Sequence, residues 1–291
     1  MTPQVRQALQ LCPEHIRNQV LTSAKAADFE ELRLRCGQAP ILLIREKNQI
    51  LQGPAVRAED LDNLVMNACG QSLYAVQEML KNGYLTVPGG HRLGICGCGV
   101  YRSGELCGIK ELSSVNLRIA HEIQGAANSL TDYLWTHPRS TLILAPPGRG
   151  KTTLLRDCIR QCSDRFGWRI GVADERMELA ACYQGVPQFS VGRNTDVLSA
   201  IGKAQAMEIL LRTMRPEWIA VDEITAEADI EAMLRGSYCG VRFFATAHSA
   251  CVAELEQRPL YRKLLSAGIF DNLITILPDR TVRAEGRKRY A

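Results

Sequence analysis

Residues 145–152, Ala-Pro-Pro-Gly-Arg-Gly-Lys-Thr, decide the fold of this chain because of the segments on either side of them. A short apolar run precedes them at residues 141–144, and residues 153–159 carry apolar side chains at helical spacing. A loop that joins a strand to a helix leaves the first N–H groups of the helix unpaired, at the positive end of the helix dipole. The stretch therefore predicts a phosphate-binding loop (P-loop) in an α/β domain.

The residue types in this loop suit the binding of a nucleoside triphosphate. Gly148 and Gly150 allow the backbone to wrap around an anion. Lys151 would reach the β- and γ-phosphates, and the hydroxyl of Thr152 would bind Mg²⁺. The alternative is an ordinary Pro- and Gly-rich turn, with Lys151 in solvent and Thr152 as a helix N-cap. The candidate nucleotide-binding residues are Pro147, Gly148, Arg149, Gly150, Lys151, Thr152 and Thr153.

A second apolar run, at residues 218–221, ends in the acidic pair Asp222 and Glu223. Asp222 at the end of a strand beside the loop is expected to support Mg²⁺, and Glu223 to orient the water that attacks the γ-phosphorus. The alternative interpretation is an N-cap pair that opens a helix.

Two more predicted strands end in polar residues at the edge where doubly wound sheets bind ligands. Residues 241–246 lead to His248, and residues 169–173 lead to Asp174, Glu175 and Glu178. Thr246 or His248 could contact the γ-phosphate or the attacking water, and His248 could equally be an ordinary hydrogen-bonded loop residue. The acidic segment could equally be a helix start with surface charge pairs.

The pattern of elements predicts two domains. Strands alternate with helices between about residues 130 and 278, which is typical of a parallel sheet with crossover helices. Residues 1–125 instead combine helical segments, including residues 58–80, with strand-like segments that resemble an antiparallel meander between residues 84 and 119. We therefore expect a smaller α+β domain at residues 1–125, a linker at residues 125–129, and a nucleotide-binding domain with a basic C-terminal tail at residues 130–291.

Composition limits the possible functions. The 291-residue chain has a formal net charge of +4, too little to argue for nucleic-acid binding, and no apolar run long enough to span a bilayer. The 11 cysteines are odd in number and irregularly spaced, so reduced thiols are expected, and Cys96, Cys98 and Cys107 lack the spacing of a zinc site. The basic tail, which includes Arg283, Arg287, Lys288 and Arg289, is either solvated or in contact with acidic lipids or a partner.

Several motifs together resemble the family of stage III sporulation protein AA over nearly the whole chain. They are Phe-Glu-Glu-Leu-Arg-Leu-Arg-Cys-Gly-Gln at residues 29–38, Pro-Gly-Gly-His-Arg-Leu-Gly at 88–94, Ser-Ser-Val-Asn-Leu-Arg-Ile-Ala at 113–120, the P-loop with its helix at 146–157, and Met-Arg-Pro at 214–216 leading to Asp-Glu-Ile at 222–224. One departure is Thr225-Ala226, where the family is expected to have Gly-Arg.

The resemblance implies a RecA-like fold similar to secretion and pilus-motor ATPases, which work as hexameric rings at the cytoplasmic face of a membrane. It assigns an acidic box to Asp174, Glu175 and Glu178, and a histidine box to His248. It also implies an integral membrane partner in a complex between the mother cell and the forespore during endospore formation. Peripheral membrane contact is possible, and nucleic acid is not expected.

The sequence as a whole thus predicts a motor that hydrolyses ATP with Mg²⁺ and powers a membrane-associated transport or assembly complex. Lys151, Glu178, Glu223 and His248 are the expected catalytic residues, and Thr152 and Asp222 the expected metal ligands. Arg118, on the last strand of the first domain, is a candidate for completing the site of a neighbouring chain, together with Arg92 and Arg102. The alternatives are a RecA-like nucleic-acid motor and a regulatory nucleotide-binding module with low turnover.

Overall fold

The computed structural model describes residues 3–23, 29–45, 47–70 and 83–286. Contacts divide the chain into two compact units. Met1–His121 and Ala181–Gln188 form the first unit, and Glu122–Ala180 and Phe189–Ala291 form the second. The helix expected at residues 58–80 ends at Ala68, and residues 71–80 lie outside the described residues. Of the expected basic tail, Arg283 lies in a strand at Val282–Gly286, and Arg287, Lys288 and Arg289 lie outside the described residues.

The first unit contains an antiparallel six-stranded sheet with the order β3-β2-β1-β6-β5-β4. Side chains alternate along its strands, so Leu32 and Leu34 of β1 are fully buried in a core shared with the helices. The strands are β1 (Glu31–Arg35), β2 (Ile41–Ile44), β3 (Lys47–Ile50), β4 (Tyr84–Val87), β5 (His91–Arg102) and β6 (Glu105–Arg118). The helices are α1 (Pro3–Leu9), α2 (Glu14–Thr22) and α3 (Ala58–Ala68).

Strand β6 is longer than the sequence predicts. Within the predicted meander, the patterns at residues 106–109 and 115–119 favour two separate strands, but most of these residues belong to one strand with an irregularity in its pairing to β5. The register shifts between Cys96, which pairs with Ser114, and Cys98, which pairs with Lys110. Glu111 adopts a φ of 51° at this point, so a bulge absorbs the residues that interrupt the alternating pattern.

The second unit contains a seven-stranded sheet with the order β13-β12-β7-β11-β10-β8-β9. All neighbouring strands from β12 to β9 are parallel, and β13 is antiparallel to β12. The strands are β7 (Thr141–Ala145), β8 (Ile170–Asp174), β9 (Thr195–Ser199), β10 (Trp218–Val221), β11 (Arg242–His248), β12 (Asn272–Ile276) and β13 (Val282–Gly286). The helices are α4 (Thr131–Thr136), α5 (Lys151–Phe166), α6 (Lys203–Thr213), α7 (Glu227–Tyr238), α8 (Val252–Gln257) and α9 (Pro259–Ser266).

The centre of this sheet is apolar on both faces. Every residue of β7, β8 and β10 is buried, as expected of parallel strands that are covered by helices on both sides. Because these strands are parallel, the residues that follow their carboxyl ends meet at one edge. Strand β11 lies between β7 and β10, so the strand that ends before Asp222 is one position further from the loop than the sequence suggested.

Residues 125–129, which we expected to be a linker, form turns within the second unit. Ala127 is fully buried, and its N–H group donates a 2.8 Å hydrogen bond to Oδ2 of Asp157 on α5. The segment is thus fixed to the helix that follows the P-loop candidate. No helix in the described part of the chain is both long and apolar enough to cross a membrane.

Candidate functional site

Residues 146–150, here called the glycine loop, connect β7 directly to α5. Gly148 and Gly150 have φ angles of 72° and 87°, which favour glycine because a Cβ atom is strained in this region. Space is not the constraint, since a Cβ atom at either position would meet nothing within 4 Å. No side chain in the described residues caps the first turn of α5, so its N–H groups are available to an anion.

Lys151 is the first residue of α5, and only 5% of it is exposed. Its Nζ atom donates to the carbonyl of Pro146 at 3.1 Å and to Nδ1 of His248 at 2.6 Å. Burial lowers the pKa of Lys151, while the nearby charges of Glu223 and Asp222 act in the opposite direction. The turn interpretation required a solvated Lys151, and this burial contradicts it.

Asp222 links three elements of the second unit through its carboxylate. Thr152 of α5 donates to Oδ2 of Asp222 at 2.6 Å, and Thr246 of β11 donates to Oδ1 at 2.6 Å. These oxygen atoms suit Mg²⁺, which proteins commonly hold with few side chains while substrate phosphates and water complete the coordination. Among the described residues, no group of three or more His, Cys, Asp or Glu side chains could hold a metal alone. The residues present therefore fit Mg²⁺ that is shared with a phosphate ligand.

Glu223 has a φ of 55°, which is unusual for a residue with a side chain. Its N–H group donates to Oγ1 of Thr246 at 2.8 Å. The carboxylate contacts Nε2 of His248 and lies 3.2 Å from Nη1 of Arg176. Helix α7 begins at Glu227 with Ala226 as its N-cap, so Asp222 and Glu223 do not form the N-cap pair that was the alternative.

His248 therefore stands between Lys151 and Glu223. An ammonium group can only donate, so Nδ1 of His248 accepts from Lys151 and Nε2 faces the carboxylate of Glu223. Arg258 also donates to the carbonyl of His248 at 2.7 Å. The histidine connects the cation of the glycine-loop helix to the acid that follows β10.

Asp174 is buried at the end of β8 and accepts hydrogen bonds from three successive N–H groups. The donors are Glu178 at 2.9 Å, Leu179 at 3.1 Å and Ala180 at 2.8 Å. Burial raises the pKa of Asp174, and these hydrogen bonds act in the opposite direction. The segment consists of turns and bends rather than the helix start that was the alternative, so Asp174 fixes the shape of the acidic segment.

Glu178 and Glu223 line the same small cavity of about 20 Å³. A cavity of this size has room for a water molecule, since about 10–15 Å³ is enough for one. Its lining also includes Asp174, Glu175, Arg176, Lys203 and Asp222. The structure thus brings together the acidic segment after β8 and the acidic pair after β10.

Two buried cations near the site, Arg156 and Lys203, are not predicted by the sequence. Arg156 of α5 donates to the carbonyls of Leu179 and Glu178, both at 2.6 Å, and stacks 4.1 Å from the ring centre of Phe189. Lys203, the first residue of α6, lines the cavity. Each is a single basic residue in a helical pattern, and such a residue is usually solvated, so no local signal distinguishes it.

A family model, described as sporulation stage III, protein AA, matches residues 3–285. The chain belongs to this family. It is 34% identical to stage III sporulation protein AA of Bacillus subtilis (strain 168) over 274 residues, which cover 92% of this chain and 89% of the relative.

Solved structures share the fold at low sequence identity. The pilus retraction motor PilT, in a crystal structure with bound ADP, matches with a TM-score of 0.65 and 17% identity over 94% of this chain and 83% of that chain. The ATPase DotB of Legionella pneumophila matches with a TM-score of 0.58 and 15% identity over 92% of this chain and 78% of that chain. The α/β fold of this member of the sporulation stage III protein AA family is thus the fold of a pilus motor and of an ATPase.

Proposed function

We propose that this protein binds and hydrolyses ATP with Mg²⁺ at the glycine loop. The observation that carries the proposal is the double hydrogen bonding of Asp222, which joins Thr152 of the glycine-loop helix to Thr246 beside Glu223. A carboxylate in contact with this threonine hydroxyl, next to a buried lysine and a second acid, suits triphosphate hydrolysis. The fold shared with the ATPase DotB and the motor PilT supports the same chemistry.

The proposed nucleotide contacts are Pro147, Gly148, Arg149, Gly150, Lys151, Thr152 and Thr153. The N–H groups at the start of α5 would receive the phosphates, with the helix dipole behind them. Lys151 would exchange its contacts with Pro146 and His248 for the β- and γ-phosphates. Thr152 and Asp222 would hold Mg²⁺, which neutralises the charge that develops on the phosphate oxygens.

Glu223 would orient the attacking water, and the cavity that it shares with Glu178 provides a place for one. His248 would report the state of the γ-phosphate. When Lys151 turns towards a phosphate, Nδ1 of His248 loses its partner, and the contact of Nε2 with Glu223 can rearrange. Binding at the loop would thereby affect the position of the acid that activates water.

In the cell we propose a motor of the RecA-like type that powers a membrane-associated transport or assembly complex during endospore formation. Family membership and the fold shared with the PilT motor support this role. The protein would act as a homo-hexamer at the cytoplasmic face of the membrane in the mother cell, with an integral membrane protein as its partner.

Two substitutions in the full chain test the proposed chemistry. Lys151→Ala is expected to abolish ATP binding, because the buried cation that would face the phosphates is lost. Glu223→Gln is expected to retain ATP binding while turnover falls by several powers of ten, because the group that orients water is lost. Binding of a fluorescent ATP analogue and release of inorganic phosphate measure the two effects separately. Glu231→Gln, on α7, is the matched control and should behave as the wild-type protein.

Hydrolysis near the wild-type rate by Glu223→Gln would refute the assigned role of this acid. A wild-type protein that binds ATP but does not turn it over would instead indicate a regulatory nucleotide-binding module. The same assay with added single- and double-stranded DNA or RNA tests the alternative of a nucleic-acid motor. A strong, salt-sensitive increase in rate would favour that alternative.

A further inference from the structure

We propose that Lys203 is a positioning residue for Glu223, an inference that rests on the proposed ATP hydrolysis. Lys203 begins α6, twenty positions before Glu223 in the chain, and is only 5% exposed. Its Nζ atom donates to the backbone carbonyl of Glu223 at 2.5 Å and to Oγ1 of Thr225 at 3.0 Å. Lys203 thus contacts the acid through its main chain rather than through its carboxylate.

The backbone of Glu223 requires support of this kind. Its φ of 55° lies in the left-handed region, which residues with side chains rarely adopt and which persists only where surrounding groups fix it. The Glu223 N–H group donates to Thr246, and its carbonyl accepts from Lys203. Both main-chain polar groups of Glu223 are therefore hydrogen-bonded, the N–H group to a residue of β11 and the carbonyl to a residue of α6.

This arrangement determines where the Glu223 side chain points. A left-handed residue directs its side chain differently from an extended one, and the carboxylate here meets His248 and Arg176 at the cavity shared with Glu178. The peptide after Glu223 is held at its carbonyl by Lys203 and at its N–H group by the Thr246 carbonyl, to which Ile224 donates at 3.2 Å. Loss of the contact with Lys203 would therefore remove one of these two hydrogen bonds and loosen the peptide. The carboxylate would then leave the place from which it orients water, and a displacement of about 1 Å can reduce a rate about 100-fold.

The charges around Lys203 suggest a simpler role, which has to be separated from positioning. Nζ of Lys203 lies 3.4 Å from Oε2 of Glu175 and 4.0 Å from Oδ2 of Asp229. A lysine that served only as a counter-ion to these acids would affect the stability of the fold. A lysine that positions Glu223 would also affect the catalytic rate, and that effect would depend entirely on the presence of Glu223.

The experiment compares Lys203→Met, Lys203→Arg and the control Lys263→Met in the full chain. Lys263 is 46% exposed and pairs with Glu227 at 2.8 Å, away from the cavity. For Lys203→Met we expect kcat to fall about 100-fold with little change in KM for ATP. In the Glu223→Gln background, Lys203→Met should cause no further loss, because both changes disable the same group.

Lys203→Arg separates the counter-ion role from positioning. Arginine keeps the positive charge and should preserve the melting temperature, but its planar guanidinium is not expected to reproduce the short single bond to the Glu223 carbonyl. We therefore expect a folded protein with reduced kcat. This variant also tests the proposal if Lys203→Met does not fold.

Amide hydrogen exchange of residues 222–226 provides a measurement that does not depend on turnover. Exchange in this segment should be faster in both Lys203 variants than in wild type, and unchanged in Lys263→Met. If the wild-type protein does not hydrolyse ATP, the proposed function is refuted. The exchange measurement would still test the contact between Lys203 and the Glu223 carbonyl. The positioning role is refuted if exchange is unchanged, if Lys203→Arg retains full kcat, or if the losses in the double variant multiply.

Discussion

At the scale of single residues, Thr246 connects the two acids that follow β10. Its hydroxyl donates to Oδ1 of Asp222 at 2.6 Å and accepts from the N–H group of Glu223 at 2.8 Å. Thr246 is itself fully buried, whereas the two acids that it contacts are partly exposed. One hydroxyl thus orients the proposed metal ligand and holds the backbone of the proposed catalytic acid.

We expect Thr246→Val to lower kcat by about 10- to 100-fold, the usual effect of removing a group that orients a metal ligand. The melting temperature should also fall, because the partly buried N–H group of Glu223 loses its acceptor, at a cost of about 1 kcal/mol. Phosphate release at varied Mg²⁺ concentration and thermal unfolding measure the two effects. Thr213→Val is the matched control, since that exposed hydroxyl donates to a carbonyl of its own helix. Wild-type kcat and Mg²⁺ dependence in Thr246→Val would contradict this prediction.

At the scale of elements, α5 does more than present the glycine loop. Its residue Asp157 accepts from the Ala127 N–H group, from Arg160 and from Gln161. Burial alone would raise the pKa of Asp157, but these hydrogen bonds together outweigh burial, and the pKa lies below its ordinary value. The helix thereby anchors the turns at residues 125–129.

The stability that Asp157 supplies should depend on pH. Its pKa is lower in the folded state than in the unfolded state, where an aspartate titrates near about 3.9. The carboxylate therefore contributes its full stabilisation above that pH and loses it as the pH falls through the folded-state pKa. Asp157→Asn should be less stable than wild type by about 1–3 kcal/mol at pH 7, and the difference should shrink below about pH 4.

Urea unfolding of both proteins across this range measures that difference. Asp132→Asn, at a side chain that is 92% exposed, is the control and should change stability little at any pH. A stability difference between Asp157→Asn and wild type that stayed constant from neutral to acidic pH would refute the linkage.

At the scale of the whole molecule, the chain leaves the second unit and returns to it within one short segment. Residues 181–188 belong to the first unit, whereas Ala180 and Phe189 on either side belong to the second. The Phe189 N–H group donates to the carbonyl of Ala180 at 3.2 Å, so the two second-unit residues that flank this segment are hydrogen-bonded to each other. Within the first unit, Gln188 accepts from the Gly89 N–H group at 2.9 Å. The first unit therefore includes a short segment that is distant in sequence from the rest of it.

If the protein works as a ring of identical chains, we expect its ATPase activity to depend on assembly of the ring. If Arg118, exposed at the end of β6, completes the nucleotide site of a neighbouring chain, hydrolysis per subunit should rise steeply with protein concentration. Arg118→Ala should remove this rise without lowering the melting temperature, because an exposed side chain adds little to stability. Arg139→Ala is an exposed control. Equal turnover per subunit in dilute and concentrated wild-type protein, measured beside light scattering, would rule out this dependence.

The sequence by itself determined the elements whose signals are local. The glycine loop, with the apolar strand before it and the helix after it, follows from residues 141–159, because backbone freedom at Gly148 and Gly150 and the apolar periodicity are encoded there. The acidic pair after β10 and the histidine at the end of β11 were found in the same way. Strands β3, β9 and β13 were missed, because their exposed and half-buried residues lack an apolar pattern.

Only the tertiary structure decided which of these elements meet. The position of β11 between β7 and β10 brings Thr246 to Asp222 and His248 to both Lys151 and Glu223. The contact between Lys203 and the Glu223 carbonyl also depends on tertiary packing, because it requires the start of α6 to lie beside the end of β10. The order of strands in a sheet and the partner of a buried charge depend on the packing of the whole unit. The residues that lie next to each other in sequence do not determine that packing by themselves.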